Sequence, residues 1–188
     1  MIDPNPPLRS VRSPGHLVAS ADQIATTAGV STFAKGGNAV DAAIATNAAI
    51  AVVGYSKFTG DARETEAHAF LTTVAAKQDQ YNSRFGTFVT ASANPGTVPS
   101  PTQKIAWDRT NAAWIVLGAR PKKTHVSFQY ETRGGAATTA CTQPGDLPAN
   151  SACAPEMANR NWWWAIARNS TTFVLINSER GNTWTIDR

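Results

Sequence analysis

The sequence predicts an α+β fold in which one long N-terminal helix packs on an antiparallel meander sheet of four to five strands, preceded by a helical hairpin. Two observations lead to this prediction. Residues 16–85 are Ala-rich or follow helical periodicity, whereas residues 112–186 contain short runs rich in aromatic and β-branched residues. Polar or glycine-containing turns separate those runs, so successive strands are expected to pair antiparallel beneath the helix.

The composition limits the class of protein. Of its 188 residues, 42% are hydrophobic and 16% charged, which is typical of one globular domain or of a small domain with an appended segment. The net charge is +4, but the basic residues are scattered and Lys122–Lys123 is the only tight pair, so no nucleic-acid partner is expected. No run approaches the roughly 20 uninterrupted apolar residues of a membrane span. The N-terminus also lacks the basic-then-apolar pattern of an export signal.

The first 53 residues divide into an irregular lead and a helical hairpin. Residues 1–15 are rich in proline and lack periodicity. Ser20 is expected to cap a first helix that runs to about Ala34, and Gly36–Gly37 to end it. Asn38 is expected to cap a second helix over residues 39–53, whose many alanines favour a helix and permit close packing.

Residues 61–85 form the clearest amphipathic helix of the chain. Apolar and large side chains recur on one face at helical spacing, and this predicted core stripe consists of Ala67, Phe70, Leu71, Val74, Gln78, Tyr81 and Phe85. Gly86 is a plausible stop. If Gly54 and Gly60 are tolerated within a helix, residues 38–85 form one long rod, and otherwise the helix bends or breaks there.

The rest of the chain is expected to be a loop followed by strands. Residues 90–104 have the composition of a loop. Five segments have the composition of strands, namely residues 112–118, 125–132, 161–168, 171–178 and 183–186. Turns are predicted at Arg133–Gly135 and at Arg180–Asn182.

Residues 16–53 resemble the opening of the gamma-glutamyltransferase family, most closely in the string Lys35-Gly-Gly-Asn-Ala-Val-Asp-Ala-Ala43. In that family the segment is scaffold, and the resemblance implies an enzyme only if a threonine nucleophile is freed by autocleavage. Thr124, in the string of residues 123–127, is the residue that could take this role, since an N-terminal threonine uses its own amine as base. The alternative is that residues 124–130 are a plain β-strand.

Residues 48–188 resemble type IV pilins and the related pseudopilins of type II secretion. The resemblance is carried by Tyr55 and Phe58, by residues 62–67, and by Tyr81 with Phe85-Gly-Thr-Phe88. It implies a spine helix closed by a strand-rich head, other pilin or pseudopilin subunits as partners, and a place in a surface filament or the periplasm. The junction between the two resemblances falls between Ala48 and Val53. The apolar half of a pilin spine is missing, so neither a membrane span nor polymerisation by the usual route is expected.

Cys141 and Cys153 are the only cysteines, about a dozen residues apart in a loop rich in proline and glycine. A disulfide between them, as pilins often carry, would clamp the loop and is worth roughly 3 kcal/mol, whereas the alternative is two unrelated thiols. No metal or cofactor is expected. The three histidines, His16, His68 and His125, are dispersed, and the chain contains no Cys-x-x-Cys spacing.

The string Trp162-Trp163-Trp164 is the most unusual in the sequence. In a strand Trp162 and Trp164 share one face and Trp163 takes the other. We expect one face to cover the helix stripe and the opposite face to be available for contacts. Exposed tryptophans would suit a binding module for a glycan or a surface.

Charged residues near the start of the amphipathic helix are candidates for contacts between subunits. Asp61, Glu64 and Glu66 are closely spaced there, and helix-dipole complementarity and solvation are enough to explain them. Ion pairs between subunits, or pairing with Arg63 within the helix, are the alternatives. The candidate subunit contacts are Arg63, Glu64, Glu66 and Trp163.

The sequence favours a structural subunit, the head of a pilin or pseudopilin, without catalysis. The order of helix, loop and strands supports this hypothesis, whereas the transferase hypothesis rests on scaffold residues alone. A relative of gamma-glutamyltransferase is the first alternative. A tryptophan-lined binding module is the second.

Overall fold

The computed structural model describes residues 16–187 and confirms the α+β fold class. The lead predicted for residues 1–15 lies outside the described residues. The elements in chain order are α1 (Gln23–Ala34), α2 (Ala39–Phe85), β1 (Ala91–Asn94), β2 (Ile105–Ala106), α3 (Ala112–Leu117), β3 (His125–Val126), β4 (Gln129–Gly135), β5 (Trp162–Arg168), β6 (Thr172–Asn177) and β7 (Trp184–Asp187). A short 3-10 helix, Pro155–Met157, lies in the loop before β5.

The main sheet has five antiparallel strands in the order β1-β4-β5-β6-β7. Strands β4 to β7 are consecutive neighbours and form the predicted meander, and β1 pairs with the outer edge of β4. A separate two-stranded ribbon joins β2 to β3. The C-terminal part of α2 packs on one face of the main sheet and buries Leu71 and Val74 there.

Side-chain caps set the ends of the first two helices. Asp22, rather than Ser20, caps α1, because its Oδ1 accepts from the Ala25 N–H at 3.0 Å while Ser20 donates to the Asp22 carbonyl oxygen. The turn after α1 needs Gly36, whose φ is +85°. Asn38 caps α2 as predicted, since its Oδ1 accepts from the N–H groups of residues 40 and 41.

Helix α2 runs unbroken for 47 residues, so the long-rod alternative is the one that the structure adopts. Gly54 and Gly60 lie in its interior without interrupting it. The helix ends at Gly86, where φ is +70° and the Gly86 N–H donates to the Asn82 carbonyl oxygen at 2.8 Å. The chain forms two compact units whose boundary falls within α2, between Thr59 and Gly60.

Three local predictions are wrong. Residues 112–117 form helix α3 rather than a strand, because the Asn111 side chain accepts from the N–H groups at its start and Gly118 closes it at φ +68°. Strand β1 lies inside the predicted loop of residues 90–104. The predicted strand over residues 125–132 is interrupted at Ser127–Phe128 and continues as β4 to Gly135.

The predicted turn at residues 133–135 is instead the end of β4. Gly134 and Gly135 pair with Trp163 and Trp162 in the ladder. A Cβ on Gly135 would meet the indole Cε2 of Trp162 at 2.5 Å, and one on Gly134 would meet the backbone of Phe88. The two glycines therefore serve close packing in the strand. The turn at residues 180–182 is present, with Gly181 at φ +64°.

Both faces of the sheet are buried. The face beneath α2 forms one core with Phe70, Tyr130 and Trp163, closed at one side by Trp107 and Trp114. The opposite face forms a second core, which contains Trp162, Trp164, Ile166, Phe173 and Leu175 beneath the loop of residues 141–157. Because a loop covers this second face, β5 and β6 are near-continuously buried instead of alternating between core and solvent.

Candidate functional site

The N-terminal part of α2 carries an exposed apolar surface. Five of its large apolar side chains, Val52 among them, are 63–72% exposed. We call the other four the exposed stripe: Val40, Ile44, Tyr55 and Phe58. At about 100° per residue they fall within an arc of about 60° on one side of the helix. Large apolar side chains so placed are expected to contact another molecule.

The opposite side of the same helix segment packs against α1 through small residues. Ala42 and Thr46 are buried on α2, and Ala25 and Gly29 are buried on α1. The helices approach so closely that a Cβ on Gly29 would overlap the Thr46 hydroxyl and lie 2.8 Å from a Val18 methyl group. The hairpin thus uses its small residues internally and leaves the large apolar side chains exposed.

Helix α2 is also long and apolar enough to cross a membrane, judged by length and composition alone. An 18-residue window within it has a mean hydropathy of 1.3, and 11% of that window is buried. The expectation that the chain has no membrane-spanning segment is therefore not confirmed. The same test is passed by core helices of soluble proteins.

The predicted core stripe of α2 follows the sheet for most of its length. Phe70, Leu71 and Val74 are buried, and Tyr81 packs against the edge of the core. Phe85 is a correction, because it is 64% exposed and contacts Tyr81 with ring centroids 4.5 Å apart. The helix ends there, one residue before its turn, so no sheet lies beneath Phe85 to cover it.

Glu64 makes its contacts within the chain. Its Oε1 accepts from the Thr185 hydroxyl on β7 and lies 3.4 Å from Nε2 of His68, one turn along α2. His68 Nδ1 lies 2.6 Å from the Thr183 hydroxyl oxygen. These contacts join α2 to the last strand of the sheet and give Glu64 a structural role.

Glu66 is likewise paired within the subunit, whereas Arg63 is not. Glu66 Oε2 lies 3.2 Å from Lys123 Nζ, which fastens the loop before β3 to α2. Arg63 makes no ion pair with any carboxylate of residues 16–186. Of the three charged candidates for subunit contacts, Arg63 is thus the one with its charge available.

The three consecutive tryptophans of β5 are all buried. Trp163 is 3% exposed in the core beneath α2, which leaves it no surface for a subunit contact and corrects that assignment. Trp162 and Trp164 are 3% and 0% exposed, and their indole N–H groups donate to the carbonyl oxygens of Thr139 and Thr142. Neither face of this strand offers an exposed tryptophan for a glycan or a surface.

The loop that covers the second core is held by the disulfide between Cys141 and Cys153. Both cysteines pack against that core, beside Leu147 and Met157. The crosslink therefore closes the segment that buries Trp162 and Trp164.

A cavity of about 480 Å³ lies between α2 and the segment of residues 120–123. Phe70 and Tyr130 line its interior, and Arg120, Lys122 and Lys123 stand around it. Burial, and secondly the nearby Glu66 carboxylate, raises the pKa of Tyr130 far above its ordinary value, so its hydroxyl stays protonated. Sequence analysis found the lysine pair but not this cavity, because α2 and residues 120–123 are brought together only by folding.

The residues considered for catalysis or metal binding do not assemble into a centre. Thr124 is exposed, and its hydroxyl oxygen lies 3.2 Å from Nδ1 of His125 beside it. Within residues 16–187, no three His, Cys, Asp or Glu side chains are grouped so that they could hold a metal ion.

Comparison with known proteins identifies no relative: no protein-family model, no curated protein and no solved structure matches this chain.

Proposed function

We propose that this chain is a structural subunit of a multi-subunit filament, of the kind formed by type IV pilins or by pseudopilins of type II secretion. The proposal joins the resemblance of residues 48–188 with one observation, the exposed stripe on α2. Its partners are other subunits of the same filament, and its activity is assembly rather than catalysis.

The exposed stripe is the main structural support for assembly into a filament. The exposed stripe consists of four apolar side chains on one side of α2, each more than 60% exposed. Helix α1 covers only the other side. Each apolar side chain that is buried against a partner is worth roughly 1.5–3 kcal/mol, so four of them contribute roughly 6–12 kcal/mol against the entropic cost of association. Arg63, which makes no ion pair with any carboxylate of residues 16–186, is a separate candidate for pairing with a carboxylate of a neighbouring subunit.

The disulfide fits the compartment that this function implies. Cys141–Cys153 closes a loop over the second core, and structural disulfides form and persist in oxidising surroundings. A surface filament and the periplasm are both such compartments. The proposal therefore places the assembled protein outside the cytoplasm.

The test is the association state of the full chain, measured by sedimentation velocity over a range of concentrations and by negative-stain electron microscopy. The wild type is expected to form concentration-dependent oligomers. The double variant Tyr55→Ser/Phe58→Ser should lose most of that association. The matched control is Lys57→Ser, an exposed neighbour outside the exposed stripe, which should associate like the wild type.

Two results would oppose the proposal. One is a wild type that stays monomeric at every concentration, with or without lipid. The other is flotation of the wild type with phospholipid vesicles, lost in the double variant, without association between chains, because the exposed stripe would then bind lipid rather than a subunit.

A further inference from the structure

The cavity between α2 and residues 120–123 has the size and lining of a small-molecule site. We call it the helix-edge cavity, and Ala69, Phe70, Tyr130, Arg120 and Lys122 are among the residues that line it. Its volume of about 480 Å³ lies within the range of small-molecule sites, which are mostly apolar and contain a few placed polar groups. The apolar and aromatic side chains of the cavity come from α2 and β4, and the cations come from a single loop. Helix α2 also contributes the polar residues Thr65, Glu66 and Thr73.

The charges around the helix-edge cavity are unbalanced. Lys123 is paired with Glu66 at 3.2 Å, whereas Arg120 and Lys122 make no ion pair with any carboxylate of residues 16–186. Both also line a neighbouring depression, together with Arg109. Arg120 and Lys122 thus line both the cavity and the depression, and these two unpaired cations favour an anion.

Another carboxylate beside these cations is already engaged. Asp108 Oδ1 accepts from the Thr110 hydroxyl at 2.7 Å and from the Thr110 N–H at 2.8 Å. Asp108 makes no ion pair with Arg120 or Lys122.

The Tyr130 hydroxyl gives the apolar interior one polar anchor. Tyr130 is 1% exposed and lines the helix-edge cavity. Its hydroxyl makes no hydrogen bond with the described side chains and is not among the buried polar atoms that lack a partner, so it is accessible from the cavity. A ligand atom that accepts from this hydroxyl gains one hydrogen bond.

We propose that the helix-edge cavity binds a small amphipathic anion, with an aromatic or short aliphatic body against Phe70 and Tyr130 and a single carboxylate or sulfonate against Arg120 and Lys122. Charge complementarity selects this class over a neutral or cationic ligand. The binding is independent of filament assembly, because the exposed stripe lies on a different part of α2.

Two dyes test, on the full chain, whether the cavity binds an apolar body and whether the cations bind an anionic group. 8-Anilinonaphthalene-1-sulfonate has an aromatic body and one anionic group, and N-phenyl-1-naphthylamine has the same body without the charge. Binding is followed by dye fluorescence for the wild type, Arg120→Gln, Ala69→Phe and the charge-matched control Lys104→Gln, which lies outside the helix-edge cavity. Near-UV circular dichroism of each variant checks that the fold is intact.

The wild type is expected to bind the sulfonate at one saturable site. Arg120→Gln should weaken the sulfonate about fivefold or more and the neutral dye less than about twofold, since only the charged contact is lost. Ala69→Phe should weaken both dyes about tenfold, because the added ring occupies the cavity. Lys104→Gln should change neither.

Three results would overturn the proposal. The first is absence of saturable sulfonate binding by the wild type. The second is equal weakening by Arg120→Gln and Lys104→Gln, which would reduce the effect to net charge. The third is loss of binding in Tyr55→Ser/Phe58→Ser with no effect of Ala69→Phe, which would move the dye to the exposed stripe.

Discussion

The side-chain amide of Gln78 makes two hydrogen bonds with the backbone of a single residue, Val89. Its Oε1 accepts from the Val89 N–H at 2.9 Å, and its Nε2 donates to the Val89 carbonyl oxygen at 2.7 Å. Nε2 also donates to the Thr132 hydroxyl at 2.9 Å, and that hydroxyl donates to the Trp164 carbonyl oxygen. One buried amide thereby joins α2, the segment after its turn and the middle of the sheet.

Replacing Gln78 with leucine should destabilise the sheet unit strongly. The change introduces an apolar side chain of similar size and leaves the N–H and C=O of Val89 without partners, which is expected to cost about 2–4 kcal/mol. Urea unfolding followed by tryptophan fluorescence measures it, since all six tryptophans lie at or after residue 107. Gln80→Leu, an exposed position two residues on, should change stability by less than about 0.5 kcal/mol. Equal effects at both positions would contradict this role of Gln78.

Removing the disulfide should loosen the covering of the second core. The double variant Cys141→Ala/Cys153→Ala is expected to lose about 3 kcal/mol of unfolding free energy, because the unfolded chain gains the freedom of an open loop. The wild type treated with dithiothreitol is the matched comparison and should lose a similar amount. A loss below about 0.5 kcal/mol would mean that the apolar contacts of Leu147 and Met157 hold the loop by themselves.

Two glycine-to-alanine changes in the helical hairpin should act in opposite directions. Gly29→Ala puts a Cβ against Thr46 and Val18 and is expected to destabilise the pairing of α1 with α2 by about 1–3 kcal/mol. Gly54→Ala meets nothing within 4 Å and should stabilise α2 by about 0.5–1 kcal/mol. Hydrogen-exchange mass spectrometry measures both, as faster exchange over residues 23–53 for the first and slower exchange around residue 54 for the second. The opposite pattern would contradict the close approach at Gly29.

Replacing Thr110 with valine should raise the pKa of Asp108. The Thr110 hydroxyl, and after it the Thr110 N–H, hold that pKa below its ordinary value of 3.8 by bonding to the charged carboxylate. This contribution to stability is complete above the unfolded-state pKa and is lost as the pH falls through the lower folded-state pKa. An NMR titration of the Asp108 carboxyl carbon in the acid range gives the shift directly. Thr102→Val, in an exposed turn, should leave the titration unchanged, and an unmoved pKa in Thr110→Val would remove the hydroxyl as the main cause.

Local signals in the sequence explain what was predicted well. The cap at Asn38, the stop at Gly86 and the apolar periodicity of residues 67–74 act within a few residues of where they stand. The segment Ala112–Leu117 shows the limit of such signals, because its β-branched and aromatic composition suits a strand but Asn111 and Gly118 cap a short helix. The composition there favours a strand and the capping residues favour a helix, and the segment forms a helix.

Neither the burial of Trp163 nor the helix-edge cavity could be derived from the sequence. Alternation along β5 places Trp163 opposite its two neighbours, but only the docking of α2 on one face and of the disulfide loop on the other buries all three tryptophans. The helix-edge cavity likewise joins residues of α2 with residues more than 40 positions later. Contacts of that separation leave no local pattern in the chain.

By itself, the sequence determined the fold class, the meander of the last strands and the ends of α2, because periodicity, capping and glycine turns act over a few residues. The tertiary structure decided which faces remain exposed. Burial depends on which elements meet, so the apolar side chains of α2 became core at Leu71 and Val74 and exposed surface at Tyr55 and Phe58.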